Sequence, residues 1–255
     1  MKMNDKVRDR LLGIASPLAL LLLWEISARA GVVDTRFFPA PTSIVKQAVE
    51  LTGSGELWGH LSASLQRLLW GSLLGGIPAL LLGIAMGLYR PIRAAIDPLI
   101  SATYPVPKSA ILPLILLIFG LGEASKIVMV ALGVFFPVLI NTITGVLQID
   151  KIYLDVGKNF RASRWQTFRT VALPGALPSI MAGIKLGIGM GLILIAIAEM
   201  VGAKNGIGFM IWDAWQILSV ETMYVGLIVI SVLGFLLTLI LNEIEGWILP
   251  WKQER

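Results

Sequence analysis

Long stretches without a charged residue recur along the chain and restrict its fold more than any other feature. Three of them, Leu68–Tyr89, Ile127–Ile149 and Thr222–Asn242, reach the length of about 20 residues that a helix needs to cross the hydrocarbon core of a bilayer. Charged residues make up only 15% of the sequence, against about 25% in soluble domains. The pattern predicts an all-α integral membrane protein that crosses the bilayer several times.

Six spans are predicted in total. The other three are a leucine-rich N-terminal run, a run broken by prolines and Lys108, and a run that contains Glu199; they are Leu11–Trp24, Pro98–Gly122 and Leu186–Ala203. With six spans and a cytoplasmic N-terminus, most of the 21 Lys and Arg residues fall in inside segments, as the positive-inside rule favours. Both termini are therefore predicted to be cytoplasmic, because five spans would weaken this bias.

The N-terminal span has an alternative interpretation as a cleavable signal peptide, because basic residues precede an apolar run and Ala28-Arg29-Ala30 follows it. Glu25 and Arg29, however, lie where a cleavage region is normally neutral. The apolar run is also long enough to remain as a span. We expect the segment to be retained; a mature N-terminus at Gly31 would contradict this.

The residue types needed for several kinds of catalysis are missing from the sequence. There is no cysteine, which excludes disulfides, thiolate metal sites and cysteine nucleophiles. The single histidine, His60, lies between apolar blocks and is expected to be an exposed or interfacial ring without a catalytic role. The sequence has no paired-carboxylate site, so a membrane-embedded enzyme is disfavoured.

Nucleotide and nucleic-acid sites are disfavoured as well. The glycines before Lys126 lack the spacing of a P-loop, and no strand precedes them. The chain is therefore expected to bind no cofactor itself. The net charge of +5 is attributed to basic cytoplasmic loops beside membrane lipid, and no nucleic-acid partner is expected.

The most informative segment is the basic loop 151–179, between the fourth and fifth predicted spans. Its periodicity predicts one amphipathic helix from about Leu154 to Ala172, ended by Leu173-Pro174 because proline cannot continue the hydrogen-bond ladder. Two roles are open: an interfacial helix on anionic lipid, or a docking element for a soluble partner. One face carries Val156, Phe160, Ser163, Thr167 and Val171, and the opposite face carries Lys158, Arg161, Trp165 and Arg169.

The run D-V-G-K-N-F-R-A-S-R-W-Q-T-F-R-T-V-A-L-P-G-A-L-P-S-I, which begins at Asp155, resembles the EAA loop of permease subunits in bacterial ABC importers. In that family the loop forms coupling helices that sit in a groove of the ATP-binding subunit. Arg161 stands where the family has glycine, and arginine lacks the backbone freedom of glycine, so the geometry of the first docking contact is expected to differ. The resemblance assigns ATPase docking to Asp155, Gly157, Phe160, Arg161, Ala162, Ser163, Phe168, Leu173, Pro174 and Pro178.

Further motifs are similar, in the same order, to the branch of this family that takes nitrate, sulfonates, taurine or bicarbonate. They are Phe38-Pro39-Ala40-Pro41, Tyr104-Pro105-Val106-Pro107-Lys108, Leu112-Pro113-Leu114, Phe119-Gly120-Leu121-Gly122-Glu123, Ala198-Glu199-Met200 and Gly206-Ile207-Gly208. The resemblance implies a type I ABC importer permease fold, with 1–255 as a single domain in the bacterial inner membrane. It also implies a homodimer that imports a small oxyanion with two kinds of partner: ATP-binding cassette subunits, which hold ATP and Mg²⁺, and an extracytoplasmic solute-binding protein.

Polar or broken positions inside the spans are the candidates for a translocation path or gate. Prolines in the third span free backbone groups that need partners in protein or water. Glu199 is an ionisable group near a span end, with snorkelling to the interface as its alternative, and the hydroxyl and amide groups could equally join helices. The candidates are Ser101, Tyr104, Pro105, Asn141, Thr142 and Glu199.

Glycines at four-residue intervals predict close helix packing. Gly183, Gly187 and Gly191 form such a row in the fifth span, and Gly71 with Gly75 and Gly83 with Gly87 repeat the spacing in the second. The spacing is consistent with packing of helices within one subunit and with packing of helices around a pore or between the two subunits of a dimer.

A self-sufficient channel or ion-coupled carrier is the alternative function. Such proteins use acidic residues or histidines that pair inside the membrane, and this chain has little beyond Glu25 and Glu199. The sequence contains no internal repeat that would support an inverted-repeat transporter. A chain of this size is therefore expected to form one half of a symmetric pore.

Overall fold

The computed structural model describes residues 5–251, with the backbone alone at 5–11, 14, 151, 154, 158 and 164. Within this range all regular secondary structure is helical, as predicted, and the predicted cytoplasmic termini lie outside it. A short 3₁₀ turn, Lys108–Ile111, precedes α5, and a wide π-helical turn, Phe168–Ala172, precedes α9. The helices are α1 Asp5–Arg29, α2 Pro41–Gly53, α3 Glu56–Leu88, α4 Arg90–Thr103, α5 Leu112–Phe119, α6 Glu123–Leu147, α7 Lys151–Asn159, α8 Arg164–Thr167, α9 Leu173–Met200, α10 Ile207–Gln216 and α11 Val220–Ile248.

Three long helices, α3, α6 and α9, form the core of the bundle, because small residues let their backbones approach closely. The glycine row of α3 from Gly71 to Gly87 faces α6, and a Cβ atom at Gly75 would lie 2.2 Å from the carbonyl oxygen of Ala131. The glycine row Gly183–Gly191 of α9 packs against α6 in the same way. The predicted rows therefore join helices within one protomer.

Four helices among the described residues are long and apolar enough to cross a membrane: α3, α6, the continuous helix Trp165–Met200, and α11. They correspond to the second, fourth, fifth and sixth predicted spans. The third predicted span is a bent pair, α4 and Lys108–Phe119, with an angle of 84° between its parts, as its prolines predicted. The span in α1 and the total of six stay predictions.

Shorter helices close the end of the bundle where α9 ends. α2 and α10 pack against the start of α11 through Ile44, Met210 and Val225. α1 is joined to α2 there, because the Glu25 carboxylate accepts hydrogen bonds from the backbone N–H and the hydroxyl of Thr42, at 3.0 and 2.8 Å. α11 keeps most of its apolar surface exposed, as expected for a helix that faces lipid or a second subunit.

Candidate translocation cleft and cytoplasmic-loop hairpin

A cleft of about 460 Å³ lies at the bend between α4 and the 3₁₀ turn. Its walls are the turn Tyr104–Lys108, the face of α6 between Leu132 and Asn141, and Leu186 and Met190 of α9. These positions are near the middle of α6 and α9, so the cleft lies at mid-depth of the spans. Irregular backbone at that depth is tolerated only where it is buried in protein or lines a cavity.

Three of the predicted path residues, Tyr104, Pro105 and Asn141, line this cleft. The Tyr104 ring is 53% exposed and tilts against Phe136, with the two ring centroids 5.8 Å apart. The Asn141 side-chain amide donates a hydrogen bond to the Pro137 carbonyl at 2.8 Å. The polar side chains and prolines identified in the sequence therefore mark one wall of this cleft.

Lys108 supplies the charge of the cleft and was not among the path residues predicted from the sequence. Its ammonium donates hydrogen bonds to the carbonyls of Thr103, Tyr104 and Val106, at 3.0, 2.8 and 2.9 Å. It also lies 4.2 Å from the centre of the Phe136 ring, a cation–π contact. Lys108 thus caps the last carbonyls of α4 and holds the bend. A lysine beside prolines inside a predicted span was the signal that could have identified it.

The other three predicted path residues lie outside this cleft. Ser101 is exposed on α4, one turn before Tyr104. Thr142 is fully buried and packs against Gly83, where an added Cβ would lie 2.7 Å from the Thr142 Cβ. In this protomer Thr142 therefore joins α6 to α3. Glu199 lies at the last turn of α9, away from the cleft.

Glu199 is only 1% exposed, and partners from three parts of the chain hold it. Its carboxylate accepts hydrogen bonds from Arg67 Nη1 at 2.8 Å, from Ser64 Oγ at 2.8 and 2.9 Å, and from the backbone N–H of Gly208 at 2.9 Å. Glu199 therefore does not snorkel to an interface. Sequence reasoning missed its partner Arg67, because no local pattern links two residues 132 positions apart.

Arg67 extends this set of contacts to α6 and to the loop before α10. Its guanidinium donates two hydrogen bonds to the Glu123 carboxylate, both at 2.6 Å. It also donates to the backbone carbonyl and the side-chain oxygen of Asn205, at 2.8 and 2.5 Å. We call Ser64, Arg67, Glu123, Glu199 and Asn205 the ion network, and the end of the bundle that they tie together the network end.

The turn between α9 and α10 depends on Gly206. Its φ of 114° is a conformation that side chains rarely adopt, and a Cβ here would lie 2.3 Å from the Glu199 carboxyl carbon. The Gly206 N–H donates a hydrogen bond to His60 Nδ1 at 3.1 Å. The predicted exposed or interfacial His60 is thus a largely buried acceptor that fixes this turn.

At the opposite end of the bundle, the predicted single helix over 154–172 is two helices joined by a turn, so that prediction is wrong. α7 ends at Asn159 and α8 begins at Arg164. Ser163 donates its N–H to Gln166 Oε1 at 2.8 Å, and Gln166 donates its N–H to Ser163 Oγ at 3.2 Å. This reciprocal pair is a capping box, which starts a helix. We call residues 151–172 the hairpin.

Leu173-Pro174 begins α9 and does not end a helix, which is a second correction. Pro174 is the second residue of α9 and directly follows the π-helical turn, where the regular α-helical hydrogen-bond pattern is already interrupted. The wide turn joins α8 to α9 because the Leu173 N–H bonds to the Phe168 carbonyl. Trp165–Met200 is therefore one continuous helix, and it connects the hairpin to the wall of the cleft.

Arg161 adopts the left-handed backbone conformation, with φ of 52°, in the turn between α7 and α8. Residues other than glycine rarely take this conformation. A hydrogen bond from the Ala162 N–H to the Gly157 carbonyl, at 2.9 Å, closes the turn. Arg161 therefore takes the backbone conformation that favours glycine, at a cost of about 1–2 kcal/mol. The predicted difference in the first docking contact concerns the ATP-binding subunit and stays a prediction.

Replacing Arg161 by glycine is expected to tighten the turn. Arg161→Gly removes the left-handed strain while adding flexibility to the unfolded chain, and the net gain of a few tenths to 1 kcal/mol slows exchange of the Ala162 amide hydrogen roughly two- to fivefold. Hydrogen exchange measured by mass spectrometry on the purified protein checks this. Arg161→Ala is the control, since alanine keeps the strain; equal slowing in both variants would contradict a backbone origin.

The hairpin exposes an apolar surface that no other part of the described chain covers. Phe160, at its tip, is 83% exposed, and Trp165 is exposed beside Phe168, with ring centroids 5.4 Å apart. Gly157 packs against Thr167 and holds the two helices together. Of the predicted docking residues, Asp155, Phe160, Arg161 and Ser163 are exposed, and Gly157, Ala162, Phe168, Leu173, Pro174 and Pro178 are partly buried.

Most of the chain matches one known protein family. Residues 79–250 match the family described as binding-protein-dependent transport system inner membrane component. The chain belongs to this family. It is accordingly a multi-pass permease of the bacterial plasma membrane, and the apolar helices of the bundle agree with that location.

Curated permeases are similar over nearly the whole chain. The taurine transport system permease protein TauC of Escherichia coli (strain K12) is 35% identical over an alignment of 255 positions, which covers 97% of this chain and 92% of that protein. The putative aliphatic sulfonates transport permease protein SsuC of Bacillus subtilis (strain 168) is 36% identical over 240 residues, 94% of this chain and 87% of that protein. The predicted resemblance to ABC importer permeases is confirmed.

A solved structure supports the fold of the permease. The MetNI methionine ABC transporter, in inward-facing conformations, aligns with a TM-score of 0.55 at 20% sequence identity, over 75% of this chain and 94% of the matched chain. The likeness confirms an ABC permease-like fold.

Proposed function

We propose that this permease forms the membrane path through which an ABC importer takes up taurine or another small sulfonate. The observation that carries the proposal is the 35% identity to a taurine permease over 97% of the chain. A second relative is described as a permease for aliphatic sulfonates. Within the oxyanion class, these relatives favour sulfonates over nitrate and bicarbonate.

The network end is assigned to the extracytoplasmic side and the hairpin to the cytoplasm. The excess of Lys and Arg in the segments on the hairpin side supports this orientation. The hairpin and the network lie at opposite ends of α6 and α9, so they face opposite sides of the membrane. With α1 as a sixth span, both termini are cytoplasmic.

Two copies of the permease face each other across the path in this proposal. The cleft is open on the side away from the core of the protomer, where Tyr104, Leu186 and Met190 are exposed. A second copy placed there would enclose the cleft. The solute-binding protein then delivers its substrate at the network end, and the ATP-binding cassette subunits dock on the exposed apolar surface of the hairpin.

ATP drives the cycle through the hairpin. The cassette subunits bind ATP and Mg²⁺, and their closure moves the hairpin with them. Because α8 continues into α9 and only three residues separate α6 from α7, both long walls of the cleft move as well. The cleft then opens to the outside and accepts the sulfonate, and hydrolysis returns it to inward access.

Replacing Phe160 by glutamate is expected to separate the permease from its cassette subunits. A carboxylate at the tip of the hairpin leaves a desolvated charge in an apolar groove, and such a change in a buried contact weakens binding by about 2–4 kcal/mol. Co-purification of cassette subunits with the tagged permease should fall at least tenfold. Recovery of the cassettes in normal amounts would show that the hairpin is not the docking element.

Phe37→Glu provides the matched control for this experiment. Phe37 is 64% exposed, like Phe160, but it lies in the loop between α1 and α2, where its carbonyl accepts a hydrogen bond from the Tyr224 hydroxyl at the network end. Cassette recovery should be unchanged in this variant. A loss in both variants would point to general unfolding.

Reconstitution tests the proposed function directly. The permease, cassette subunits and a sulfonate-binding protein in proteoliposomes should take up labelled taurine when ATP is supplied to the cytoplasmic face. The permease alone should take up none. Uptake by the permease alone would instead favour an ion-coupled carrier.

A further inference from the structure

We propose that Lys108 selects anions in the translocation path, by holding a fixed positive charge opposite the sulfonate group as the substrate passes the middle of the membrane. The inference rests on the proposed function, since it takes the cleft as the path. It assigns a role to a residue that the docking and coupling mechanism does not use.

Lys108 lies in the cleft at the middle of the bundle. It follows the proline-broken turn after Tyr104, where the bent helix pair changes direction by 84°. The cleft wall opposite it is formed by α6 from Leu132 to Asn141 and by Met190 of α9, in the middle of both helices. An ionisable residue at the middle of a membrane bundle is costly to retain and marks an ion or substrate pathway by default.

Neutral groups hold the Lys108 ammonium in place. Its three N–H donors point at the carbonyls of Thr103, Tyr104 and Val106, which belong to the end of α4 and the turn after it. Carbonyls at a helix C-terminus carry partial negative charge and stabilise a nearby cation. The Phe136 ring adds a cation–π contact at 4.2 Å. These neutral partners fix the ammonium in place and leave its net charge intact.

Lys108 has no counter-charge in the described part of the chain. The residues that line the cleft include no Asp or Glu, and no carboxylate of the described chain forms an ion pair with Lys108. Lys126 likewise has only carbonyl partners, but it is 1% exposed and lies outside the cleft. Two other basic residues of the bundle do have carboxylate partners. Arg67 pairs with Glu123 and Glu199, and Lys185 pairs with Glu245. Lys108 is therefore placed so that a passing anion supplies the missing charge.

The chemistry of a sulfonate fits this arrangement. Its single negative charge is spread over three oxygens, so attraction to a point charge needs no fixed orientation. Because carbonyls already occupy the three Lys108 donors, the anion is attracted through the field of the ammonium more than gripped by hydrogen bonds. Weak attraction suits a path, since the substrate must leave as readily as it enters. The Phe136 ring and Met190 offer apolar contact for the carbon part of the substrate.

The lack of cysteine in the chain permits a test that separates charge from side-chain shape. Lys108→Cys is combined with cysteine-free cassette subunits and a sulfonate-binding protein in proteoliposomes, and ATP-driven uptake of ethanesulfonate is measured. We expect uptake to fall roughly 10- to 100-fold, the factor that corresponds to the attraction between two unit charges about 6–12 Å apart at an effective dielectric constant of about 20. Binding-protein-stimulated ATP hydrolysis in the same vesicles reports whether the substituted complex still assembles and completes its cycle.

Chemical modification of the introduced thiol then tests whether uptake requires a positively charged group at this position, and the glutamine variant below separates that charge from the hydrogen-bond donors. Aminoethyl methanethiosulfonate restores a positive charge close to the length of lysine, and uptake should recover. Methyl methanethiosulfonate and sulfonatoethyl methanethiosulfonate add a neutral and a negative group, and uptake should stay low. Equal recovery with the neutral reagent, or undiminished uptake before any modification, would overturn the proposal.

Two further variants cover the case in which Lys108→Cys fails to assemble. Lys108→Arg keeps the charge with a different shape, and Lys108→Gln keeps hydrogen-bond donors without the charge. Retained uptake in the arginine variant and lost uptake in the glutamine variant support selection by charge, and the reverse order refutes it. If the unsubstituted complex takes up no sulfonate at all, the proposed function fails. If the unsubstituted complex takes up sulfonate and Lys108→Gln takes up the same amount, only the role of Lys108 fails.

Discussion

Replacing Arg67 by methionine is expected to lower the free energy of unfolding by about 3–5 kcal/mol, because removing one partner of a buried ion pair leaves the other charge uncompensated. Glu199 would keep only Ser64 Oγ and the N–H of Gly208 as donors. Methionine fills most of the volume of arginine, so the loss reports charge and hydrogen bonding more than an empty space. Thermal unfolding in detergent, followed by tryptophan fluorescence, measures the effect.

The ion network contains its own control. Glu123 bonds to the same guanidinium as Glu199, but its side chain is 63% exposed, and exposed pairs contribute about 0–1 kcal/mol. Glu123→Gln should therefore be nearly neutral, and Glu199→Gln should fall between the two. The double variant Arg67→Met with Glu199→Gln should be more stable than Arg67→Met alone, because it removes the stranded carboxylate. A strictly additive double variant would argue against direct coupling between Arg67 and Glu199.

Hydrophobic length and glycine spacing in the sequence were enough to place most of the bundle. α3, α6, α9 and α11 lie where long apolar stretches predicted them, because crossing a bilayer constrains both length and composition. The glycine rows located the helix contacts, since only residues without large side chains permit so close an approach. Pro105 and Pro107 likewise predicted the break at which the cleft forms.

Roles that depend on distant partners could not be read from the sequence. Glu199 was a candidate for the path because it is ionisable, yet its burial depends on Arg67, which no local pattern indicates. The hairpin is a different case. Ser163 and Gln166 have capping-box spacing and Pro174 is a helix-start signal, so both corrections were available locally. The amphipathic period from Leu154 to Ala172 continued across the turn and concealed the break.

Adjacent glycines of α3 should respond in opposite directions to the same substitution. A Cβ added at Gly75 would lie 2.2 Å from the carbonyl oxygen of Ala131 and 2.8 Å from its Cα. Those atoms belong to the backbone of α6 and cannot rotate away, so Gly75→Ala must push α3 and α6 apart. Overpacking of this kind costs about 1–3 kcal/mol, and the cost should reach the upper end here because backbone, not side chain, is displaced.

Gly76→Ala places the same methyl group one residue further along, where its nearest neighbour is Val134 Cγ1 at 3.6 Å. That distance is an ordinary contact, and alanine is favoured over glycine inside a helix by about 1 kcal/mol. Gly76→Ala should therefore leave the melting temperature unchanged or raise it, while Gly75→Ala lowers it by several degrees. Because α6 also carries Phe136 and Asn141 of the cleft, Gly75→Ala should reduce sulfonate uptake as well. Equal melting temperatures for the two variants would mean that α3 and α6 do not meet along the Gly75 row.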